Sequence, residues 1–144
     1  MKNLPNIKTF VVDDDPFFLQ IMEQVLLNLG IDDVTCFDNG FDIQNSLHQK
    51  PEIIFLDYNL EGITGYDVLK KIKRYDPDIY VILISAQDEI KPAVDALKHG
   101  AFDYLQKSND TMNQVEAIIG KVLAVKEALE KNKPTLLKRI FQIK

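Results

Sequence analysis

Apolar residues in this chain fall in short unbroken runs, and the longer runs each stop at a polar or charged residue. Phe10-Val11-Val12 stops at Asp13-Asp14, Ile53 to Leu56 stops at Asp57, and Ile79 to Ile84 stops at Ser85. Runs of this length bounded by turn signals read as strands buried on both faces, as in a parallel sheet. Val34–Phe37 and Phe102–Leu105 add two shorter strands. Between the strands the apolar spacing changes to three and four. Asp15 as N-cap and Pro16 at the first helical position open a helix that buries Phe18, Ile21, Met22, Val25, Leu26 and Leu29 and closes at Gly30. A modest second helix carries Phe41, Ile43 and Leu47 inward and ends at Lys50-Pro51. Thr64 caps a third, with Val68, Leu69 and Ile72 inward and Lys70, Lys71, Lys73 and Arg74 outward as a solvated face. The fourth runs from about Asp88-Glu89 to Lys98 and closes at Gly100. The fifth follows Asn109-Asp110 through Val115, Ile118, Ile119, Val122, Leu123 and Val125. Strand and helix thus alternate five times. The pattern predicts an α/β, doubly wound parallel sheet with helices on both faces and right-handed crossovers.

Length and composition keep that picture simple. At 144 residues, 46% hydrophobic and 27% charged, the chain reads as one soluble globular domain. Its first ten residues, MKNLPNIKTF, lack the apolar core of a signal peptide, and no stretch is long and apolar enough to span a membrane. Cys36 is the single cysteine, so no intrachain disulfide or cysteine metal cluster can form. It reads as a small core residue of the second strand, and a reducing, cytoplasmic location is expected. Charge is uneven. Residues 1–125 hold 11 Lys/Arg against 20 Asp/Glu, whereas residues 126–144 hold 6 against 2. The acidic body would repel phosphates, which argues against nucleic-acid binding by this part.

The candidate chemistry lies where the strands stop. In an open parallel sheet, ligands bind beyond the carboxyl ends of the strands. The first strand delivers Asp13 and Asp14 there, the third Asp57, the fourth Ser85 and the fifth Lys107. Three carboxylates brought together repel, and a hard cation relieves the repulsion. Oxygen ligands without a placed His or Cys suit Mg²⁺ better than zinc. A carboxylate beside Mg²⁺, an ammonium and a hydroxyl is equipped to accept a phosphoryl group, a reaction governed by positioning and charge neutralisation. Asp57 would be the nucleophile, Asp13 and Asp14 the metal ligands, and Ser85 and Lys107 the ligands of phosphoryl oxygens. Taken singly, each residue has an ordinary role as a turn, cap or surface residue; Asp15 is left as a cap. His48 and His99 have no metal-ligand partner nearby and read as helix-surface or boundary residues.

In order and spacing, Val11-Val12-Asp13-Asp14-Asp15-Pro16, Phe55-Leu56-Asp57 with Gly65 eight residues on, Ile84-Ser85-Ala86 and Asp103-Tyr104-Leu105-Gln106-Lys107 resemble the receiver domain of two-component response regulators. The resemblance covers residues 6–128. It implies a five-stranded sheet of order 2-1-3-4-5 flanked by five helices, a flavodoxin-like arrangement. It further implies Mg²⁺-dependent phosphorylation of Asp57 from a phosphohistidine on a sensor histidine kinase or histidine phosphotransfer protein. Asp13, Asp14 and Asp57 then match the metal carboxylates, and the backbone carbonyl of Asn59 matches a further metal ligand. Lys107 matches the phosphate-binding lysine and Ser85 the switch hydroxyl. Tyr104, by its position alone a half-buried strand aromatic, matches the residue whose exposure changes with the switch. The face of the fourth helix, fifth strand and fifth helix would then change, and it is a candidate homodimer surface. Catalysis would extend only to the chain's own phosphorylation and dephosphorylation. Two positions depart from the family. Glu61 stands where proline is common four residues after the acceptor, and Ser108 stands where a cis-linked proline usually follows the lysine.

Residues 129–144 extend past the resemblance as a basic amphipathic tail or linker. Pro134 is expected to interrupt or kink the preceding helix. Beyond it, Leu136, Leu137, Ile140 and Phe141 share one face opposite Lys138 and Arg139. The segment reads as a helix docking on this or a neighbouring subunit, a linker to an output domain, or a peptide for a partner or membrane surface. Rival readings of the whole are a phosphatase with an Asp nucleophile, for which the chain is short, and a non-phosphorylated scaffold, which would need a broken acceptor site. A flavin-binding fold is weaker still, because no phosphate-cradling loop follows the first strand.

Overall fold

A computed structural model describes residues 6–86 and 90–142, excepting the side chains of Ile90 and of residues 133–142. Five strands, β1 (Thr9–Val12), β2 (Val34–Phe37), β3 (Ile53–Asp57), β4 (Tyr80–Ser85) and β5 (Asp103–Gln106), pair in parallel in the order β2-β1-β3-β4-β5. The helices α1 (Pro16–Asn28), α2 (Gly65–Tyr75), α3 (Ile90–Lys98) and α4 (Thr111–Gln142) alternate with them, and a 3-10 helix at Gln44–Gln49 fills the second place. The expected fifth helix is therefore α4. The predicted start of the fourth, at Asp88-Glu89, lies outside the described residues.

Alternation along the strands feeds two cores. Val11, Ile53, Phe55, Ile82, Ile84 and Leu105 point to one face, which α1 covers with Phe18, Met22 and Leu26 and α4 with Val115, Ile119 and Val122. Phe10, Val12, Ile54, Leu56, Val81 and Leu83 point to the other, under Leu47, the α2 residues Val68, Leu69 and Ile72, and Ala96 of α3. Phe10 and Phe55 are fully buried, each contributing on the order of 2 kcal/mol by removal from water. Register fixes the edge that matters: Val12 lies opposite Leu56, Asp57 opposite Ile84, and Ser85 opposite Gln106.

The end signals of α1 and α2 match their sequence. Asp15 accepts the Phe17 N–H at 3.0 Å, Gly30 follows α1 with φ of 92°, and Thr64 Oγ1 accepts from the Asp67 N–H at 3.1 Å. Four expectations are corrected. The second helix is a 3-10 helix at Gln44–Gln49, preceded by a turn in which Asn39 Oδ1 accepts from the N–H groups of both Phe41 and Asp42. Phe41 is exposed rather than inward; Gly40 approaches Ile63 and Val68 so closely that the backbone there, not the next side chain, fills the space. Lys73 is not a solvated charge. Its ammonium donates to the carbonyls of Pro77 at 2.8 Å and Ile79 at 2.7 Å, and burial lowers its pKa. Finally, α4 continues through Pro134 to Gln142. The proline removes one intrahelical donor without ending the helix, so the expected interruption does not occur. His48 and His99 are exposed, as read, although Tyr66 Oη lies 2.7 Å from His99 Nε2 and ties α2 to the end of α3.

Candidate functional site

Asp13, the first residue past β1, is fully buried, and Asp57, the last of β3, is 3% exposed. Asp14, one residue further out, is exposed. One carboxylate oxygen from each of the three comes within 4.8 Å of the others. Asp13 is oriented by the Asp15 N–H, which donates to its Oδ1 at 2.8 Å. Its Oδ2 lies 2.8 Å from Lys107 Nζ, yet off the hydrogen-bonding angle, so this buried oxygen has no hydrogen-bond donor among the described residues. The contact is one of charge. Lys107 Nζ also stands 4.0 Å from Asp57 Oδ1 and 4.4 Å from the centre of the Phe18 ring, whose face attracts the cation.

Local structure explains why these groups meet. Lys107 is one residue past β5, but its N–H donates to the Ser85 carbonyl at 2.8 Å and so extends the pairing of β4 and β5. Likewise the Tyr58 N–H donates to the Ile84 carbonyl at 2.8 Å, which holds the chain leaving Asp57 against the end of β4. Gly65, at the start of α2, then returns to the same place, donating to the Tyr58 carbonyl at 2.9 Å. A Cβ on Gly65 would meet the Asp57 carbonyl and would come within 2.7 Å of Tyr58 Cα.

The electrostatics are those of a crowded carboxylate. The Asp57 pKa is pushed up to about 7, first by burial and then by Asp13; Lys107 and the Asn59 N–H pull it down, and Asp14 adds a smaller push upward. Three acidic side chains that offer only oxygen donors, against one neighbouring ammonium, fit a hard divalent cation. Asn59 is exposed, and its N–H serves the Asp57 carboxylate. Ser85 is buried at the end of β4; Tyr104 is half-buried on β5 and packs against the core that α2 covers. The peptide joining Lys107 to Ser108 is trans, since no cis bond occurs among the described residues.

Sequence reasoning placed Asp13, Asp14, Asp57, Ser85 and Lys107 at one edge; the three carboxylates and the Lys107 ammonium meet there, and Ser85 ends β4 with its carbonyl accepting the Lys107 N–H. It missed Phe18, read only as core, and the closeness of Gly65 to the acceptor strand. It also missed Gln114, whose carboxamide holds the chain on both sides of Lys107. A spacing of eight residues from Asp57 marked Gly65; nothing in the sequence marked Gln114.

Residues 9–119 match the family model of the response regulator receiver domain. The DNA-binding transcriptional regulator NtrC of Escherichia coli is 33% identical over 116 residues, which take in 80% of this chain and 24% of that protein. The chain thus spans about a quarter of that relative's length. The BeF3-activated receiver domain of DrrB superposes with a TM-score of 0.70 at 27% identity, covering 81% of this chain and 99% of that one. A response regulator receiver domain protein of Clostridium thermocellum gives a TM-score of 0.78 at 25% identity, over 85% and 98%. Among the described residues, no helix is long and apolar enough to cross a membrane.

Proposed function

The chain belongs to the response regulator receiver domain family of two-component signalling, and on that footing we propose that Asp57 is its phosphoryl acceptor. The observation that carries this reading is the meeting of three carboxylates within 4.8 Å beside the Lys107 ammonium at the carboxyl edge of the sheet. Receiver domains bind Mg²⁺ at an acidic pocket. Here Asp13, Asp14, Asp57 and the Asn59 carbonyl would hold it, and when bound it would neutralise charge on the transferred oxygens. In the transfer, an Asp57 carboxylate oxygen attacks phosphorus as the phosphohistidine N–P bond breaks. The imidazole leaves with its electron pair and takes up a proton. Lys107 binds one phosphoryl oxygen, and the Ser85 hydroxyl binds another. The donor is a sensor histidine kinase or a histidine phosphotransfer protein. Residues 6–128 form the receiver unit, with 129–144 as its tail or linker.

Incubation of the full chain with Mg²⁺ and acetyl phosphate is expected to add one phosphoryl group, mapped to the peptide that holds Asp57. Absence of both that adduct and beryllofluoride binding would overturn the reading. The output switch runs through Ser85 and Tyr104. Dianionic charge on Asp57 draws the hydroxyl inward, Tyr104 follows into the vacated space, and the face of α3, β5 and α4 changes. Tyr104→Ala is therefore expected to phosphorylate at the wild-type rate while losing the phosphorylation-dependent change in hydrogen exchange on that face. A variant that instead fails to phosphorylate would remove Tyr104 from the output path.

A further inference from the structure

We propose that Gln114 is the positioning residue for Lys107, its carboxamide fixing the two residues that flank the lysine. The inference rests on the reading of Lys107 as a ligand of the phosphoryl group. Gln114 lies in the first turn of α4. Its Nε2 donates to the Gln106 carbonyl at 3.1 Å and to Ser108 Oγ at 2.9 Å, and its Oε1 accepts from the Gln106 N–H at 3.4 Å. The position immediately before the lysine and the one immediately after are thus held by one side chain. The lysine's own N–H is held by the Ser85 carbonyl.

The chemistry of the carboxamide suits the place. β5 is an edge strand, so the outward N–H and C=O of Gln106 have no further strand to pair with. One side chain that both donates and accepts can close both groups at once; a carboxylate could only accept, and a thioether does neither well. Ser108 completes the brace, since its Oγ also accepts from the Asp110 N–H at 3.1 Å and its carbonyl accepts from Thr111 Oγ1 at 2.8 Å. The loop that presents the lysine is therefore held by side-chain bonds from α4, in a chain that carries serine where the family it resembles usually carries proline.

A lysine stem has four rotatable bonds and reaches a fixed point only from a fixed root. Misplacement of a reacting group by about 1 Å costs about 100-fold in rate, and a loosened loop is expected to lose about tenfold. The test measures the phosphorylation rate of the full chain at saturating acetyl phosphate and Mg²⁺. Gln114→Met should be slower by about tenfold with the fold retained and the thermal midpoint lowered, and should cause no further loss of rate in a Lys107→Ala background. A wild-type rate in Gln114→Met, or the same loss with and without Lys107, would overturn the proposal. Ser108→Ala, which removes one of the bonds, serves if Gln114→Met does not fold, with a smaller loss of the same kind expected. Should the wild-type chain take up neither phosphoryl group nor beryllofluoride, the role of Lys107 falls first and this inference with it.

Discussion

Asp57→Asn is expected to unfold later than the wild-type chain at pH 8 while accepting no phosphoryl group. Amide nitrogen has no lone pair to offer phosphorus, so the chemical loss is complete. The gain in stability follows from linkage. The Asp57 pKa is raised from the ordinary carboxylate value of 3.8 to about 7, chiefly by burial and the Asp13 charge. Below the ordinary value, the carboxyl is protonated in both folded and unfolded chains, and it costs nothing. As pH rises through the interval, the unfolded chain sheds its proton freely and the folded chain does so only against that resistance. Stability drains away until the folded pKa is passed, and above it the full penalty remains. A rise of this size corresponds to a ceiling of about 4 kcal/mol, and a gain of about 2 kcal/mol at pH 8 is a reasonable expectation after relaxation. Urea melts of both chains at pH 4, 6 and 8 should show the gap opening with pH. Saturating Mg²⁺ should narrow it, because a cation among the carboxylates stabilises only the chain that keeps all three. A gap independent of pH would show that burial of the charge is not what the asparagine relieves.

Gly65→Ala should be the most damaging single-methyl change near the site. A β-carbon there meets the Asp57 carbonyl and the Tyr58 Cα, both backbone atoms, so no side chain can swing aside. The constraint is space and not a left-handed dihedral, since Gly65 is absent from the residues with positive φ. Either α2 retreats from β3, opening the packing of Val68, Leu69 and Ile72, or the segment after Asp57 shifts. The cost is expected to be about 3 kcal/mol, at the upper end for overpacking. Phosphorylation should fall in the same variant, because the shifted segment carries the Asn59 N–H that bonds the acceptor. Equilibrium melts together with the acetyl phosphate assay measure both. Wild-type stability would mean that the turn is looser than its contacts indicate.

The fold was legible in the sequence because its strands are buried on both faces and stop at charges. Ile53 to Asp57 needed no partner to be read as an interior strand ending at a site. What escaped is what depends on tertiary approach. Phe41 obeys helical spacing but turns outward, because Gly40 packs against Ile63 and Val68. Lys73 sits in a basic cluster of α2, and only the chain returning at Pro77–Ile79 shows that its ammonium is bonded to carbonyls. The site divides along the same line. Asp13, Asp14, Asp57 and Lys107 are announced by strand ends; Gln114 and Phe18 belong to helices, and their proximity to Lys107 is decided by how α4 and α1 lie on the sheet.

Helix α4 begins beside the loop that presents Lys107 and runs for 32 residues. At 1.5 Å per residue that is a rod of about 48 Å. Val115, Ile118, Ile119 and Val122 root it on the sheet, and Lys126 ties it to Glu52 at 2.8 Å. Its remaining turns continue beyond that tie. The held part reaches about halfway along the rod, from Val115 to Lys126. With about 15 residues on either side of the Lys126 tie, a tilt about that point would move the far end about as far as the end beside Lys107. An adjustment beside one lysine that tilted the helix would in this way be carried along it to Gln142.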